Sequence, residues 1–199
     1  MSQPTPRIPM LSLEEARKAA ATAEIPEQVA ELNIFRVLLN HPLLAKRIND
    51  LLMTLLFRGK LDTRLRELVI MRLGWATGSN YEWTQHWRIA RELGLPEADL
   101  LAIRDWRESD RFGAADRAVL AATDEILDRG AISPETWADC VSHVGGFEEL
   151  LELTAAIGNW RMVSSLLQSL DIPLEEGTAS WPPDGRKPGN SRPPGNDSA

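Results

Sequence analysis

Helix start and stop signals recur from Ser12 to Leu170, and this punctuation restricts the fold more than the composition does. Ser12, with Glu15 three residues later, forms a capping box of the kind that begins a helix. Glycine or proline then ends or begins most of the following apolar stretches, as expected at helix termini. No stretch combines alternating polarity with β-branched residues, the pattern typical of strands. The sequence therefore predicts an all-α domain.

Helical spacing of apolar residues and these signals together set the expected element boundaries. The predicted helices cover residues 12–23, 26–40, 42–59, 62–78, 79–94, 96–106, 114–129, 134–143 and 147–170. They form one compact multi-helix domain over residues 11–174. Residues 1–10, which include three prolines, are predicted to be an extended N-terminal arm.

The composition changes sharply at residue 175. Segment 175–199 is rich in proline and glycine and has few apolar side chains to bury. Such a segment cannot offset the entropy lost on ordering. It is predicted to be a disordered tail, with Trp181 as a local anchor.

Composition excludes several classes of protein. The chain has 199 residues, 43% of them hydrophobic, which is typical of one soluble domain. Its net charge is −7 and its arginines are scattered, so a nucleic-acid partner is not expected. It lacks the run of about 20 apolar residues that spans a membrane. The first ten residues lack the apolar core of a secretory signal, so a cytoplasmic location is expected.

The densest polar and aromatic cluster lies at residues 79–87. On a helix, Glu82 and His86 share one face, because they are four residues apart. A carboxylate beside an imidazole raises its basicity and suits it to acid/base catalysis. Trp83 and Trp87 form an adjacent stripe that could wall an apolar pocket. Two alternatives stay open: Ser79 and Glu82 could form a capping box, and the tryptophans could belong to the core or a subunit interface.

Other residues extend this candidate site. Glu67 is expected on the preceding antiparallel helix, either as a third member of the acid/base group or in a salt bridge with a nearby arginine. Tyr81 could donate a hydrogen bond to a substrate oxygen, and Arg161 could bind a substrate carboxylate or form a surface contact. A metal held by Glu67, Glu82 and His86 is a weaker alternative, since no second histidine lies at ligand spacing.

The stretch 61–103 resembles the carboxymuconolactone decarboxylase and alkylhydroperoxidase D superfamily, and segments 33–44 and 158–167 extend the likeness. The redox branch has a glutamate, eleven residues, a cysteine, two residues, a second cysteine, three residues and a histidine. That spacing falls here on Glu67, Ser79, Glu82 and His86, so both cysteines are replaced. The decarboxylase branch has Glu-x3-His-x3-Ala-x3-Gly, matched by Glu82, His86, Ala90 and Gly94.

The missing cysteine pair argues against peroxidase chemistry. Serine and glutamate can form neither a disulfide nor a sulfenic acid. The only cysteine, Cys140, lies outside the motif on an apolar helix face, where it is expected to be a small buried residue.

The resemblance implies an alkylhydroperoxidase D-like fold, no metal or other cofactor, and a homo-oligomer (dimer, trimer or hexamer). The function expected is cofactor-free acid/base chemistry, such as decarboxylation, lactone isomerisation or a related lyase step. The substrate would be a small carboxylate- or carbonyl-bearing molecule. His86, Glu82 and Glu67 would be catalytic, and Ser79, Tyr81, Trp83, Trp87 and Arg161 would bind substrate. The alternatives are a non-catalytic binding or assembly protein, and residual peroxiredoxin-type peroxidase activity through Cys140.

Overall fold

The computed structural model describes residues 5–189, and across that range the elements are helices and connecting turns, without strands. This confirms the predicted all-α class. The α-helices are α1 (Leu13–Thr22), α2 (Glu27–Ala30), α3 (Asn33–Leu38), α4 (Pro42–Phe57), α5 (Thr63–Thr77), α6 (Asn80–Glu92), α7 (Glu97–Ala102), α8 (Ala114–Arg129), α9 (Pro134–His143) and α10 (Phe147–Ser169). A 3-10 helix, Ile103–Glu108, follows α7 directly.

Most predicted boundaries agree with these helices, but the single helix predicted over 26–40 is two short ones. The chain breaks at Leu32, which is extended (φ −68°, ψ 134°) and precedes α3. The break turns Ile34 and Phe35 inward, where they are 5% and 2% exposed. Most of the stability of a short helix comes from tertiary packing, so the burial of these two side chains offsets the loss of a continuous helix.

Helix α5 is the centre of the domain. Four consecutive residues, 68–71, are fully buried, which is the signature of a helix surrounded on all sides. It packs against α6, α8 and α10. Helix α6 turns back along α5 through Gly78, whose left-handed φ of 70° favours glycine.

A second apolar cluster lies over the opposite face of α6. It is formed by α1–α4, the C-terminal half of α10 and the segment that follows α10. Tyr81 at the start of α6 belongs to this cluster. The N-terminal helices therefore cover the face of α6 that carries the polar candidates.

Residues 175–189 pack against the domain, which corrects the predicted boundary at 175. Trp181 is 4% exposed and lies against Trp75 and Trp83. Arg104 forms two hydrogen bonds with Asp184, at 2.7 and 2.9 Å. The rest of the predicted tail, 190–199, lies outside the described residues, as do residues 1–4 of the predicted arm.

No helix among residues 5–189 is both long enough and apolar enough to cross a membrane.

Candidate active site

The antiparallel hairpin of α5 and α6 brings Glu67 and His86 together. The two helices approach closely at Gly74, where an added Cβ would lie 3.0 Å from the backbone nitrogen of Trp83. This close approach lets short polar side chains bridge the two helices. Glu67 Oε2 lies 2.8 Å from His86 Nδ1.

Glu67 is completely buried and has two partners. Its other oxygen, Oε1, accepts hydrogen bonds from Arg66 Nη2 at 3.0 Å and Nε at 3.1 Å. The His86 bond places the imidazole proton on Nδ1, so that Nε2 is the nitrogen that carries the lone pair in the neutral ring. The indole N–H of Trp160 points to this Nε2 at 3.4 Å.

Glu82 lies on the other side of the His86 ring. Its Oε2 is 3.7 Å from His86 Nε2. Ser79 occupies the N-cap of α6 without forming a side-chain cap, so the capping box that the local pattern allows is absent. The Glu82 carboxyl group is therefore free to interact with His86.

Burial and mutual charge shift the pKa values of all three groups. Burial alone would raise the pKa of Glu67, but His86 and Arg66 outweigh it and lower that pKa. Burial alone would lower the pKa of His86, but the Glu67 carboxylate outweighs it and raises that pKa. For Glu82, burial and the charge of Glu67 raise the pKa despite His86 and Trp160. An ionised carboxylate thus supports a strengthened base, beside a carboxyl group that retains its proton more readily than usual.

Glu82 and His86 line a small cavity beneath the N-terminal helices. Its volume is about 160 Å³, and Trp160, Val163 and Phe35 are among its walls. Glu67 is not part of the lining, so it acts on the cavity only through His86. The site is a mostly apolar, partly open cavity with one acid/base pair in its wall.

Tyr81 also lines this cavity, but its hydroxyl group has a protein partner. The phenol donates a hydrogen bond to Glu175, which also accepts one from Gln85. Glu175 Oε1 further accepts a hydrogen bond from the backbone N–H of Asn33 at 3.0 Å. Glu175 therefore links the start of α3, which covers the cavity, to α6. Sequence reasoning missed Glu175 because it placed it in a disordered tail.

The other predicted substrate-binding residues lie elsewhere. Trp83 and Trp87 are in the core beside Trp75 and Trp181, so the structure does not place them at this cavity. Ser79 lines a separate cavity of about 510 Å³ at the start of α6. Arg161 donates a hydrogen bond to the backbone oxygen of Ile126 and is absent from the cavity lining.

Cys140 lies apart from the site. It is fully buried on α9, and its Sγ donates to the backbone oxygen of Ala118 at 3.7 Å. Burial raises the pKa of its thiol to about 11. Among residues 5–189, no group of three or more histidines, cysteines and carboxylates is placed to hold a metal ion.

Residues 42–125, which run from α4 into α8, match the model of the carboxymuconolactone decarboxylase family. Over that segment the chain is similar to this family. A search of curated proteins found no match. Ser79 and Glu82, which the resemblance in the sequence aligns with the redox cysteines, both lie within the matched segment.

Solved structures confirm the AhpD-like fold. A peroxidase-related protein from Silicibacter is 14% identical over 88% of this chain and 95% of its own, with a TM-score of 0.73. An alkylhydroperoxidase AhpD core protein from Ralstonia eutropha is also 14% identical over 88% and 95%, with a TM-score of 0.71. The debrominase Bmp8, solved with 2,3,4-tribromopyrrole, is 18% identical over 88% and 94%, with a TM-score of 0.67. At these identities the likeness concerns the fold alone.

Proposed function

We propose that this protein is a cofactor-free acid/base enzyme that transfers a proton at carbon on a small carbonyl-bearing substrate. The observation that carries the proposal is the chain of contacts from Glu67 through His86 to Glu82, which ends at the mostly apolar cavity. A buried histidine oriented by a carboxylate is a common arrangement for a general base.

His86 is the proposed base. Glu67 holds the Nδ1 proton and stabilises the imidazolium ion that forms when Nε2 accepts a proton from substrate carbon. Glu82, whose pKa is raised, is the proposed acid that protonates the substrate at the carbonyl oxygen or at a second carbon. Removing a proton at one position and returning one at another gives an isomerisation, with no net oxidation or reduction.

The apolar walls support this chemistry, because exclusion of water strengthens electrostatic interactions within the site. The resemblance aligns Glu82 with the second cysteine of the redox branch. The chain therefore has a proton-transfer group where the motif of that branch has a thiol. The debrominase among the structural relatives binds a small ring, which supports a substrate of that size for this fold.

Two alternatives make different predictions. Peroxidase activity through Cys140 needs an accessible thiolate, whereas this thiol is buried and its pKa is raised. A non-catalytic binding protein would use the same cavity but would show no exchange of substrate protons. We therefore base the test on proton exchange.

The test incubates wild-type protein in deuterium oxide with a panel of small cyclic ketones and lactones and follows deuterium incorporation at carbon by NMR. We expect His86→Gln to reduce incorporation at least 100-fold, in line with the usual contribution of a general base. The matched control is His143→Gln, because His143 is exposed at the end of α9. Equal incorporation by wild type and His86→Gln would refute the proposal, as would the absence of incorporation across the panel.

A further inference from the structure

The cavity at Glu82 and His86 is apolar over nearly all of its wall. Its polar exceptions are Tyr81, Glu82, Gln85, His86 and Arg88. The rest of the wall is made of aliphatic and aromatic side chains and includes Val29, Leu32, Ile34, Leu52, Met53, Leu56 and Ile89. A ligand that fills the space must therefore replace its own hydration mainly with apolar contacts.

No arginine or lysine among the described residues is available to a ligand in this cavity. Arg88 is the only arginine or lysine in the lining, and it is exposed and paired with Glu92 at 2.8 Å. Arg66 is the buried cation of the site, but its nitrogens bond to Glu67 and to the backbone oxygen of Leu56, at 2.8 Å for the latter. Proteins usually bind a carboxylate through an arginine that has donors to spare.

The charges already present leave no room for an added anion. Arg66 and Glu67 compensate each other. His86 Nε2 and Glu82 Oε2 lie 3.7 Å apart. The pair has no net charge when both side chains are neutral or when both are ionised. An added carboxylate in this space would have to compete with Glu82 for His86, and a buried anion without a partner of its own is strongly unfavourable.

We infer that the cavity binds uncharged, apolar compounds about the size of a single six-membered ring and excludes carboxylates. A cavity of about 150 Å³ accommodates benzene, and this one measures about 160 Å³. The inference rests on the proposed function and narrows it. The resemblance in the sequence implies carboxylate- or carbonyl-bearing substrates, and the inference limits them to neutral carbonyl compounds. The reaction is then an isomerisation and not the decarboxylation of an acid.

Nitrobenzene and benzoate form a matched pair of probes, since they have nearly the same shape and differ in charge. Their binding to the full-length protein at pH 7 is measured by isothermal titration calorimetry. We expect nitrobenzene to bind at least tenfold more tightly than benzoate. Equal or tighter binding of benzoate would overturn the inference, and so would failure of the wild-type protein to bind nitrobenzene.

A filling substitution shows whether binding occurs in this cavity. Val29 is a partly exposed residue of the lining, so Val29→Trp is expected to close the space and weaken nitrobenzene binding at least tenfold. Leu43→Trp is the matched control, because Leu43 is 63% exposed and is not in the lining. Unchanged nitrobenzene binding by a folded Val29→Trp protein would place the ligand elsewhere and overturn the inference.

A second variant tests the role of charge. Glu82→Gln keeps the size of the side chain and removes its ionisation, so benzoate should bind several-fold more tightly while nitrobenzene changes less than threefold. An unchanged ratio of the two affinities would contradict the charge argument. Selective binding of nitrobenzene without any proton exchange would refute the proposed function alone. Proton exchange dependent on His86 without such selectivity would refute this inference alone.

Discussion

Glu67→Gln is the substitution that tests the electrostatic reasoning most directly. It keeps the shape of a fully buried side chain and removes the charge that Arg66 and His86 both contact. Breaking a buried ion pair on one side costs about 3–5 kcal/mol, because it leaves the other charge buried without a partner. For a domain of this size that corresponds to a fall in Tm of roughly 6–20 °C.

The pKa of His86 should change in the same variant. Burial is the largest influence on His86 and lowers its pKa, and Glu67 contributes more than Glu82 to the opposing rise. Without that carboxylate we expect the His86 pKa to fall below its ordinary value of 6.5. NMR titration can follow this change, since the chain has only 3 histidines. A His86 pKa that stays above 6.5 in Glu67→Gln would refute the argument.

The stability difference between wild type and Glu67→Gln should also depend on pH. The lowered pKa of Glu67 contributes stability above its ordinary value of 4.5 that is lost as the pH falls through its folded value. The raised pKa of His86 contributes stability below 6.5 that is lost as the pH rises through its folded value. The difference should therefore be largest between pH 4.5 and 6.5. Glu92→Gln, in an exposed pair, is the control and should cost no more than about 0.5 kcal/mol.

Three further predictions concern residues outside the acid/base group. Trp181→Ala should destabilise the protein by about 3–5 kcal/mol in urea unfolding, because it empties a core position; a change below about 1 kcal/mol would mean that segment 175–189 does not pack. Tyr81, the only tyrosine, should ionise well above pH 10 by absorbance at 295 nm, and Glu175→Gln should lower that pKa; an unchanged titration would exclude the contact between them. Cys140 should react with a thiol reagent only on unfolding, because it is buried and its pKa is near 11; rapid reaction of the native protein would contradict its placement.

The helices are predictable because their boundaries depend on local chemistry. Asp62 accepts hydrogen bonds from the start of α5, and Ser133 caps α9, as residues of these types usually do. The break between α2 and α3 has no such local signal. It depends on where Ile34 and Phe35 must point to be buried, and that is a property of the assembled core.

The role of Glu82 could not be settled from the sequence, because one spacing supports two structures. Ser79 and Glu82 satisfy the capping-box pattern, while Glu82 and His86 satisfy the pattern of a pair on one helix face. The two structures differ in the side-chain rotamer of Glu82. That rotamer depends on tertiary contacts. Trp160, which lies 74 residues from His86 along the chain, is one of those contacts.

The predicted boundary at residue 175 and the alternatives left open for the tryptophan stripe depend on the same packing. Composition treats segment 175–199 as too polar to pack, yet a single aromatic residue, Trp181, buries as much surface as several small apolar ones. Trp83 and Trp181 lie against each other with ring centroids 6.2 Å apart, so the tryptophan stripe on α6 faces the returning segment. A pattern on one helix shows which residues share a face, and the partner of that face follows only from the fold.

The proposed proton transfer gives the buried contact between Glu67 and His86 a chemical role. Glu67 Oε2 and His86 Nδ1 lie 2.8 Å apart, and both side chains are buried. Keeping a buried carboxylate, an imidazole and Arg66 is costly in free energy, and replacement by apolar residues would often be neutral or stabilising. A purely structural scaffold gains little from such a group. The proposed proton-transfer site would gain a base of raised pKa beside a carboxyl group that retains its proton more readily than usual, and it would use both at Nε2.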